Sequence, residues 1–166
     1  LFDFSVNKEN NTIHVTRDFA ANVSLVWDAW TKPELLDLWW APKPFRVQTK
    51  SMDFREGGMW HYGMISPENE VHWCRLDYEK IEYHKSYTAL DAFCDEHANV
   101  QTAFPRSFWT NEFAANGEQT TVQVTIKYET LDDLEKIISY GFKEGFSAAM
   151  ENLDQYIEMK FKLRNE

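Results

Sequence analysis

The sequence predicts an α+β fold in which an antiparallel sheet packs against a long C-terminal helix. Between residues 45 and 128, apolar and polar side chains alternate with a period of two, which is typical of half-buried strands. From residue 131 to 161 the apolar spacing changes to that of an amphipathic helix. Two short helical stretches, 23–30 and 32–39, precede the strand-rich region. Helices that are separated along the chain from a run of consecutive strands indicate the α+β class.

The N-terminal segment predicts a β-hairpin. Apolar residues occupy alternate positions over residues 2–6 and again over 13–19. Asn10 and Asn11, which lie between the two runs, are typical turn residues.

The two short helical stretches have recognisable end signals. Thr31 is positioned to cap the second stretch, and Glu34, three residues later, would complete a capping box. Pro33 suits the first turn of a helix, and the two prolines of the segment 41–44 end it. We therefore expect two separate helices divided at Thr31.

Six further strands are predicted, at 46–54, 59–65, 70–81, 83–93, 106–115 and 120–128. The connections contain turn residues, including a Gly-Gly pair at 57–58 and an Asn-Gly pair at 116–117, which is a strong hairpin signal. Successive strands joined by short turns favour an antiparallel meander. In the last strand, Val122, Val124 and Ile126 alternate with polar residues, so we expect these three to face the long helix.

The C-terminal region predicts one continuous helix over 131–161. Thr130, followed three residues later by Asp133, is its capping signal. Its apolar stripe consists of Leu134, Ile137, Ile138, Phe142, Phe146, Ala149, Met150, Leu153, Ile157 and Phe161. Gly141 and Gly145 fall inside this helix, where each glycine costs about 1 kcal/mol relative to alanine. Either large strand side chains approach the helix closely at these glycines, or the glycines leave a space in which part of a ligand lies.

Charge and composition exclude several classes of function. The 166 residues carry a formal net charge of −10, and their basic side chains do not cluster, so nucleic acids and anionic membranes are unsuitable partners. No apolar run reaches the roughly 18 residues that a membrane helix needs, and we expect a cytoplasmic protein. Because no linker or repeat is recognisable, we predict a single domain over 1–166, with a hairpin strand at 1–9 and a core at 13–160.

The cysteine and histidine residues predict neither a disulfide nor a metal site. Cys74 and Cys94 have no neighbour at the two-residue spacing of zinc or redox motifs, so both are expected to be free thiols on strands. The five histidines occur singly along the chain. We therefore predict that the protein holds no metal and no cofactor.

Several segments, spread in order along the chain, resemble one family. They are Val-Trp-Asp-Ala-Trp-Thr-Lys-Pro-Glu-Leu-Leu at 26–36, Trp-Trp-Ala-Pro at 39–42, Asp-Phe-Arg-Glu-Gly-Gly at 53–58, Asp-Ala-Phe-Cys-Asp-Glu at 91–96 and Gly-Phe-Lys-Glu-Gly-Phe at 141–146. Over roughly 13–157 the chain resembles the AHSA1-like family, named after the activator of Hsp90 ATPase homologue 1, in the START-like (SRPBCC) superfamily. The resemblance implies the helix-grip (Bet v 1-like) fold, in which a curved antiparallel sheet wraps around a long C-terminal helix.

The resemblance also implies a ligand cavity between the sheet and the long helix, lined mainly by apolar and aromatic side chains. The candidates for its lining or rim are Trp39, Trp40, Trp60, Tyr62, Trp73, Phe93, Trp109, Phe142, Gly145 and Phe146. Alternatively, these rings fill the core completely. Of the pair Trp39 and Trp40, we expect one ring to anchor the core and the other to lie partly exposed at the cavity mouth, with Trp39 proposed as the rim residue.

Three polar residues are further candidates. Arg55 is expected either to pair with Asp53 and fix the following turn, or to neutralise an anionic ligand group. His61, Tyr62 and Glu112 would form an acid/base set if they faced one cavity, but consecutive strand residues point to opposite faces. Because the motifs of nucleophiles, phosphate loops and dinucleotide sites do not occur, we assign no catalytic residue.

Three functional hypotheses follow. The leading one is a non-enzymatic module that binds a small hydrophobic or amphipathic molecule between the sheet and the long helix, as a monomer or weak homodimer. The second is a chaperone-associated or stress-related interaction protein that works through its outer surface, in the manner of an Hsp90 activator. The third is an enzyme acting on a hydrophobic substrate, like the polyketide cyclases of the superfamily. An internal void favours the first hypothesis, and a solid interior with an exposed apolar patch favours the second.

Overall fold

The structure is a computed structural model that describes residues 2–164. Its strands are β1 (Phe2–Asn7), β2 (Thr12–Phe19), β3 (Arg46–Met52), β4 (Met59–Ile65), β5 (Val71–Glu82), β6 (Ser86–Phe93), β7 (Ser107–Asn116) and β8 (Gln119–Tyr128). Its helices are α1 (Val23–Thr31), α2 (Pro33–Trp39), α3 (Leu131–Ser139) and α4 (Phe142–Arg164).

All eight strands form one curved antiparallel sheet with the order β1-β2-β8-β7-β6-β5-β4-β3. Strands β3 to β8 follow one another as a meander, and the N-terminal hairpin joins the sheet because β2 pairs with β8. The predicted hairpin, meander and α+β class are therefore confirmed. In β8 the side chains of Val122, Val124 and Ile126 are buried in one core with Met150 and Leu153 of α4, which confirms the predicted strand register.

The C-terminal region is not one continuous helix. Helix α3 ends at Ser139 and α4 begins at Phe142, because Gly141 has a φ of +90°, a left-handed conformation that strains residues with a Cβ atom. The Gly141 amide donates to the carbonyl of Ile138, and the Gly141 carbonyl accepts from the Gly145 amide of the next helix. The prediction of an unbroken helix over 131–161 was therefore wrong, since Gly141 ends one helix and starts another.

The predicted helix caps differ in outcome. Thr31 does not cap α2: it ends α1, and its hydroxyl donates to the Trp27 carbonyl at 2.8 Å. Lys32 occupies the cap position of α2 without a side-chain hydrogen bond, so the predicted capping box with Glu34 is wrong. At α3 the prediction is confirmed, because the Thr130 hydroxyl accepts from the Asp133 amide at 3.1 Å.

Helix α2 packs against both β3 and α4, and polar contacts fix its position. The Asp37 carboxylate accepts from the amide and the hydroxyl of Thr49 in β3, at 3.0 and 2.7 Å. The Asn152 side-chain amide of α4 donates to the Ala41 carbonyl at 2.9 Å. These contacts hold the segment that follows α2, with Trp40 and Pro42, beside the start of α4.

Candidate functional site

A cavity of about 350 Å³ lies between the concave face of the sheet and the junction of α3 and α4. Strands β4 to β8, the end of α2 and the two C-terminal helices all contribute to its wall. The lining residues are Trp40, Pro42, Tyr62, Met64, His72, Cys74, Arg75, Asp91, Ala92, Phe93, Pro105, Ser107, Trp109, Tyr128, Ile137, Tyr140, Gly141, Phe142, Gly145 and Phe146. Three of these, His72, Phe93 and Tyr140, are also exposed, and they mark the side at which the cavity reaches solvent.

The two glycines of the C-terminal region border this cavity and do not make close contacts with the strands. A Cβ atom at Gly145 would meet only Pro42, with its Cγ at 3.7 Å, which is an ordinary van der Waals distance. A Cβ atom at Gly141 would meet only the Glu144 carboxylate, at 3.8 Å. Of the two explanations for the glycines, the structure therefore contradicts close strand approach and shows them beside open space.

Four aromatic rings form a continuous wall of the cavity. The ring centroids of Trp40 and Trp109 are 5.8 Å apart, and those of Trp109 and Phe146 are also 5.8 Å apart. Phe142 stacks on Phe146 at 5.3 Å. The indole N–H of Trp40 donates to the Tyr62 hydroxyl at 3.0 Å, so the polar group of this ring has a hydrogen-bond partner inside the wall.

Trp40 also connects the cavity to the closed part of the core. Its ring centroid lies 5.3 Å from that of Trp39 and 5.7 Å from that of Trp60, and the Trp39 centroid lies 4.9 Å from that of Trp30. Trp30, Trp39 and Trp40 thus form an unbroken chain of indoles from α1 to the cavity, and Trp60 extends it into β4.

Asp91 is the acidic residue of the cavity lining, and its carboxylate is held by neighbours on β7. One oxygen accepts from the Ser107 amide at 2.7 Å, and the other accepts from the Ser107 hydroxyl at 2.8 Å and the Trp109 indole N–H at 3.0 Å. Burial raises the pKa of Asp91 above its ordinary value, while these donors and Arg106 act in the opposite direction. A carboxylate among aromatic rings is the most distinctive polar feature of the cavity.

Tyr62, Cys74 and Tyr128, which also belong to the cavity wall, keep their protons at neutral pH. Burial raises the pKa of the Cys74 thiol to about 12 and raises the pKa of the Tyr62 hydroxyl well above its ordinary value. Burial likewise raises the pKa of Tyr128. These groups therefore offer hydrogen bonds to a bound molecule and are poorly suited to act as nucleophiles.

Seven of the ten predicted lining residues border the cavity: Trp40, Tyr62, Phe93, Trp109, Phe142, Gly145 and Phe146. Trp39 does not, because its ring is 1% exposed and its indole N–H donates to the Ala29 carbonyl at 2.8 Å. The expected division between Trp39 and Trp40 therefore exists with Trp39 as the core anchor, so the proposal of Trp39 as the rim residue was wrong.

Trp60 and Trp73 are also outside the cavity, for different reasons. Trp60 points inward but is fully covered: it stacks on Tyr62 at 3.9 Å, and its indole N–H donates to the Thr49 hydroxyl at 3.0 Å. Trp73 lies on the opposite face of the sheet, where its ring is 5.1 Å from that of His61. Strand parity excludes Trp73, whereas only the packing of neighbouring rings excludes Trp60.

The three predicted polar candidates lie away from the cavity. Arg55 forms an exposed ion pair with Asp53 at 2.5 Å, which confirms the predicted turn contact. His61 is buried on the outer face, where its Nε2 is 3.0 Å from the Asp95 carbonyl. Glu112 is exposed on β7. Because only Tyr62 faces the cavity, the acid/base set of His61, Tyr62 and Glu112 is not assembled.

The sequence-based selection missed Asp91 and several other lining residues. A signal for Asp91 was present, since it alternates with Tyr87 and Ala89, two buried residues of β6, and therefore occupies an inward position. The exposed Tyr140 gave no such signal, because it sits at the break between α3 and α4, which the helical periodicity concealed.

Within 2–164, no helix is both long and apolar enough to cross a membrane. In the same part of the chain, no group of three or more His, Cys, Asp or Glu side chains is arranged to hold a metal ion.

The fold and cavity define a helix-grip protein of the START-like superfamily, and solved structures share this architecture. A crystal structure of a protein from Mycobacterium smegmatis has a TM-score of 0.85 at 26% identity, and the match covers 93% of this chain and 94% of that one. A solution structure of a protein from Arthrobacter aurescens has a TM-score of 0.89 at 22% identity, and the match covers 95% of this chain and 91% of that one. Another, from Staphylococcus epidermidis, has a TM-score of 0.82 at 25% identity and covers 94% of each chain.

Within that superfamily, the chain belongs to the family described as activator of Hsp90 ATPase homolog 1-like protein, whose sequence model matches residues 20–158. A comparison with curated protein sequences finds no significant match. The family resemblance predicted from the sequence motifs is thereby confirmed.

Proposed function

We propose that this protein binds a small apolar or amphipathic molecule in the cavity between the sheet and the α3–α4 junction, without transforming it. The observation that carries the proposal is the cavity itself, about 350 Å³ in volume and walled by four aromatic rings and few polar groups. Concave, mainly apolar sites with a small number of placed polar groups are the usual form of small-molecule sites.

The chemistry of the wall supports binding rather than catalysis. General acid/base catalysis needs groups whose pKa lies near the working pH and that face one substrate. In the cavity, burial moves the pKa values of Tyr62 and Cys74 away from neutrality, and Asp91 is held by three hydrogen-bond donors. The predicted partners His61 and Glu112 lie elsewhere on the sheet.

Native mass spectrometry of freshly purified protein, followed by titration of labelled protein with apolar aromatic compounds in NMR experiments, tests the proposal. We expect either a co-purified small molecule or shifts at the cavity residues Trp40, Cys74 and Gly145. If a broad set of such compounds shifts no cavity residue, the binding proposal fails, and the hypothesis of an external partner surface takes its place.

A cavity-filling variant gives a sharper test. Gly145→Leu places a larger side chain between α4 and Pro42 at the cavity wall, so we expect a loss of affinity for an apolar probe of about tenfold or more. The matched control is Glu151→Leu, which adds the same side chain at an exposed position of α4. Equal affinities of both variants and the unmodified protein would place binding outside this cavity.

A further inference from the structure

We propose that the cavity selects a ring-bearing molecule that carries a protonated amine, which Asp91 and the surrounding aromatic rings recognise. This inference rests on the proposed binding function and specifies its ligand class. It follows from the acceptor position that remains on Asp91, from the rings beside it and from the contacts of Arg75 and Arg106.

Asp91 keeps hydrogen-bonding capacity that the protein does not use. An ionised carboxylate has about four acceptor positions. The Ser107 amide, the Ser107 hydroxyl and the Trp109 indole N–H occupy three of them. Because Asp91 belongs to the cavity lining, the remaining position is available to a donor that enters the cavity. A protonated amine supplies such a donor and also offsets the negative charge that burial makes costly.

The aromatic wall favours the same ligand class. The indole of Trp109 lies within hydrogen-bonding distance of Asp91, and the rings of Trp40, Phe142 and Phe146 continue the wall from it. The faces of aromatic rings attract cations, most strongly in sites that exclude water. A carboxylate next to several rings is therefore suited to an ammonium group on an apolar ring system.

The guanidinium groups of Arg75 and Arg106, near the cavity, donate to acceptors of the protein. Arg75 donates to the Ala98 carbonyl at 2.5 Å and to the Asp77 carboxylate at 2.6 Å. Arg106 donates to the other oxygen of Asp77 at 2.6 Å and to the backbone carbonyl of Asp91 at 2.9 Å. These contacts direct both guanidinium groups to Asp77 and away from a ligand carboxylate. A fatty acid or another carboxylate would therefore bring its charge toward Asp91 without a guanidinium group directed at it, which disfavours it.

A purely structural role of Asp91 makes a different prediction. If the carboxylate served only to join β6 to β7 through Ser107 and Trp109, the charge of the ligand would not affect affinity. Asp91→Asn separates the two roles, because it keeps an acceptor for the Ser107 amide while it removes the charge. Glu112→Gln is the matched control, since it removes one negative charge from an exposed position of the same sheet.

The experiment measures the affinity of three probes that share one ring system: 1-naphthylmethylamine, 1-naphthylmethanol and 1-naphthaleneacetate. Isothermal titration calorimetry is carried out at pH 7 and 0.15 M salt, because salt at this concentration screens the attraction between the net charge of −10 and cations. We expect the amine to bind about tenfold more tightly than the alcohol, and the carboxylate to bind most weakly. Asp91→Asn should remove the advantage of the amine, and Glu112→Gln should preserve it.

Each other outcome has a defined meaning. If all three probes bind with equal affinity, or the carboxylate binds best, the ligand class is wrong and the binding function stands. If none of them binds and no other apolar compound shifts the cavity residues, the binding function fails and this inference fails with it. If Asp91→Asn does not fold, the ranking of the three probes on the unmodified protein still decides. Loss of the amine advantage in Glu112→Gln would assign that advantage to the overall charge and would contradict a role of Asp91.

Discussion

The space between the sheet and the helices contains two aromatic regions that pack differently. Below α1, the ring of Trp27 contacts those of Phe54, Tyr87 and Phe113 at centroid distances of 5.0 to 6.0 Å. We call this the closed region, because Trp27 and Trp30 are each only 1% exposed. At the α3–α4 junction, Phe142 is only partly buried although it contacts Phe146 and Trp109, and a cavity of about 350 Å³ remains. Both regions are rich in aromatic residues, so aromatic content alone does not determine whether a void is left.

The backbone above each region accounts for the difference. Helix α1 presents a nearly continuous buried surface to the sheet, with Val26, Trp27, Ala29 and Trp30 all covered. At the α3–α4 junction, the helical surface is interrupted at Gly141, and Gly145 contributes no side chain one turn later. Large rings fill a space when the opposing helix is continuous, and they line a space when it is broken.

The largest effect is expected from a change in the closed region. Trp30 is 1% exposed and contacts Trp39 and Phe113, so Trp30→Ala removes a large buried ring and leaves a cavity. We expect the free energy of unfolding to fall by about 3–5 kcal/mol, measured by urea denaturation. A loss below about 1 kcal/mol would show that this region is as open as the other.

A smaller effect is expected from the same kind of change at the cavity. Phe142→Ala removes a ring that already borders empty space, so fewer contacts are lost, and we expect a fall of about 1–2 kcal/mol. The measurement is again urea denaturation, and circular dichroism confirms that the helices persist. A loss equal to that of Trp30→Ala would contradict the distinction between the two regions, because it would mean that Phe142 is fully packed in solution.

The smallest effect concerns the dependence of stability on pH. Burial raises the pKa of Asp91 in the folded protein above its value in the unfolded chain. At pH values between these two pKa values, the folded state therefore binds more protons than the unfolded state. The contribution of Asp91 to stability is therefore fully present at acidic pH and is lost as the pH rises through the folded pKa.

Subtracting the free energy of unfolding of Asp91→Asn from that of the unmodified protein at each pH isolates this contribution, because the other groups cancel. We expect the difference to decrease as the pH rises from about 4, near the ordinary pKa of an Asp side chain, toward neutrality. A flat difference, or one that increases with pH, would show that the folded protein does not raise the pKa of Asp91.

The periodicity of the sequence was sufficient to predict the sheet, the hairpin and the order of the helices. These features follow from local alternation and turn residues, as in the strict pattern that buries Val122, Val124 and Ile126. The break at Gly141 was not predictable in the same way. Gly141 and Gly145 are the same residue four positions apart, and only a left-handed φ at the first distinguishes a helix end from a helix interior.

The candidate site was predictable in part for a related reason. Alternation along a strand separates inward from outward residues, which places Trp73 outside and would have brought Asp91 inside. It does not distinguish an inward residue that neighbouring rings cover, such as Trp60, from one that borders the cavity, such as Trp109. That distinction depends on which part of the helical layer lies opposite, and this is a property of the tertiary structure.

The chain of indoles from Trp30 through Trp39 and Trp40 to Trp60 also has an optical consequence. Neighbouring members have centroid separations of 4.9 to 5.7 Å, so an electronic excitation absorbed by one indole passes readily to the next. Trp40 is the member that borders the cavity. A bound molecule that quenches Trp40 will therefore also reduce the emission of tryptophans that it never touches. The ultraviolet fluorescence of these four tryptophans therefore depends on what contacts Trp40 in the cavity.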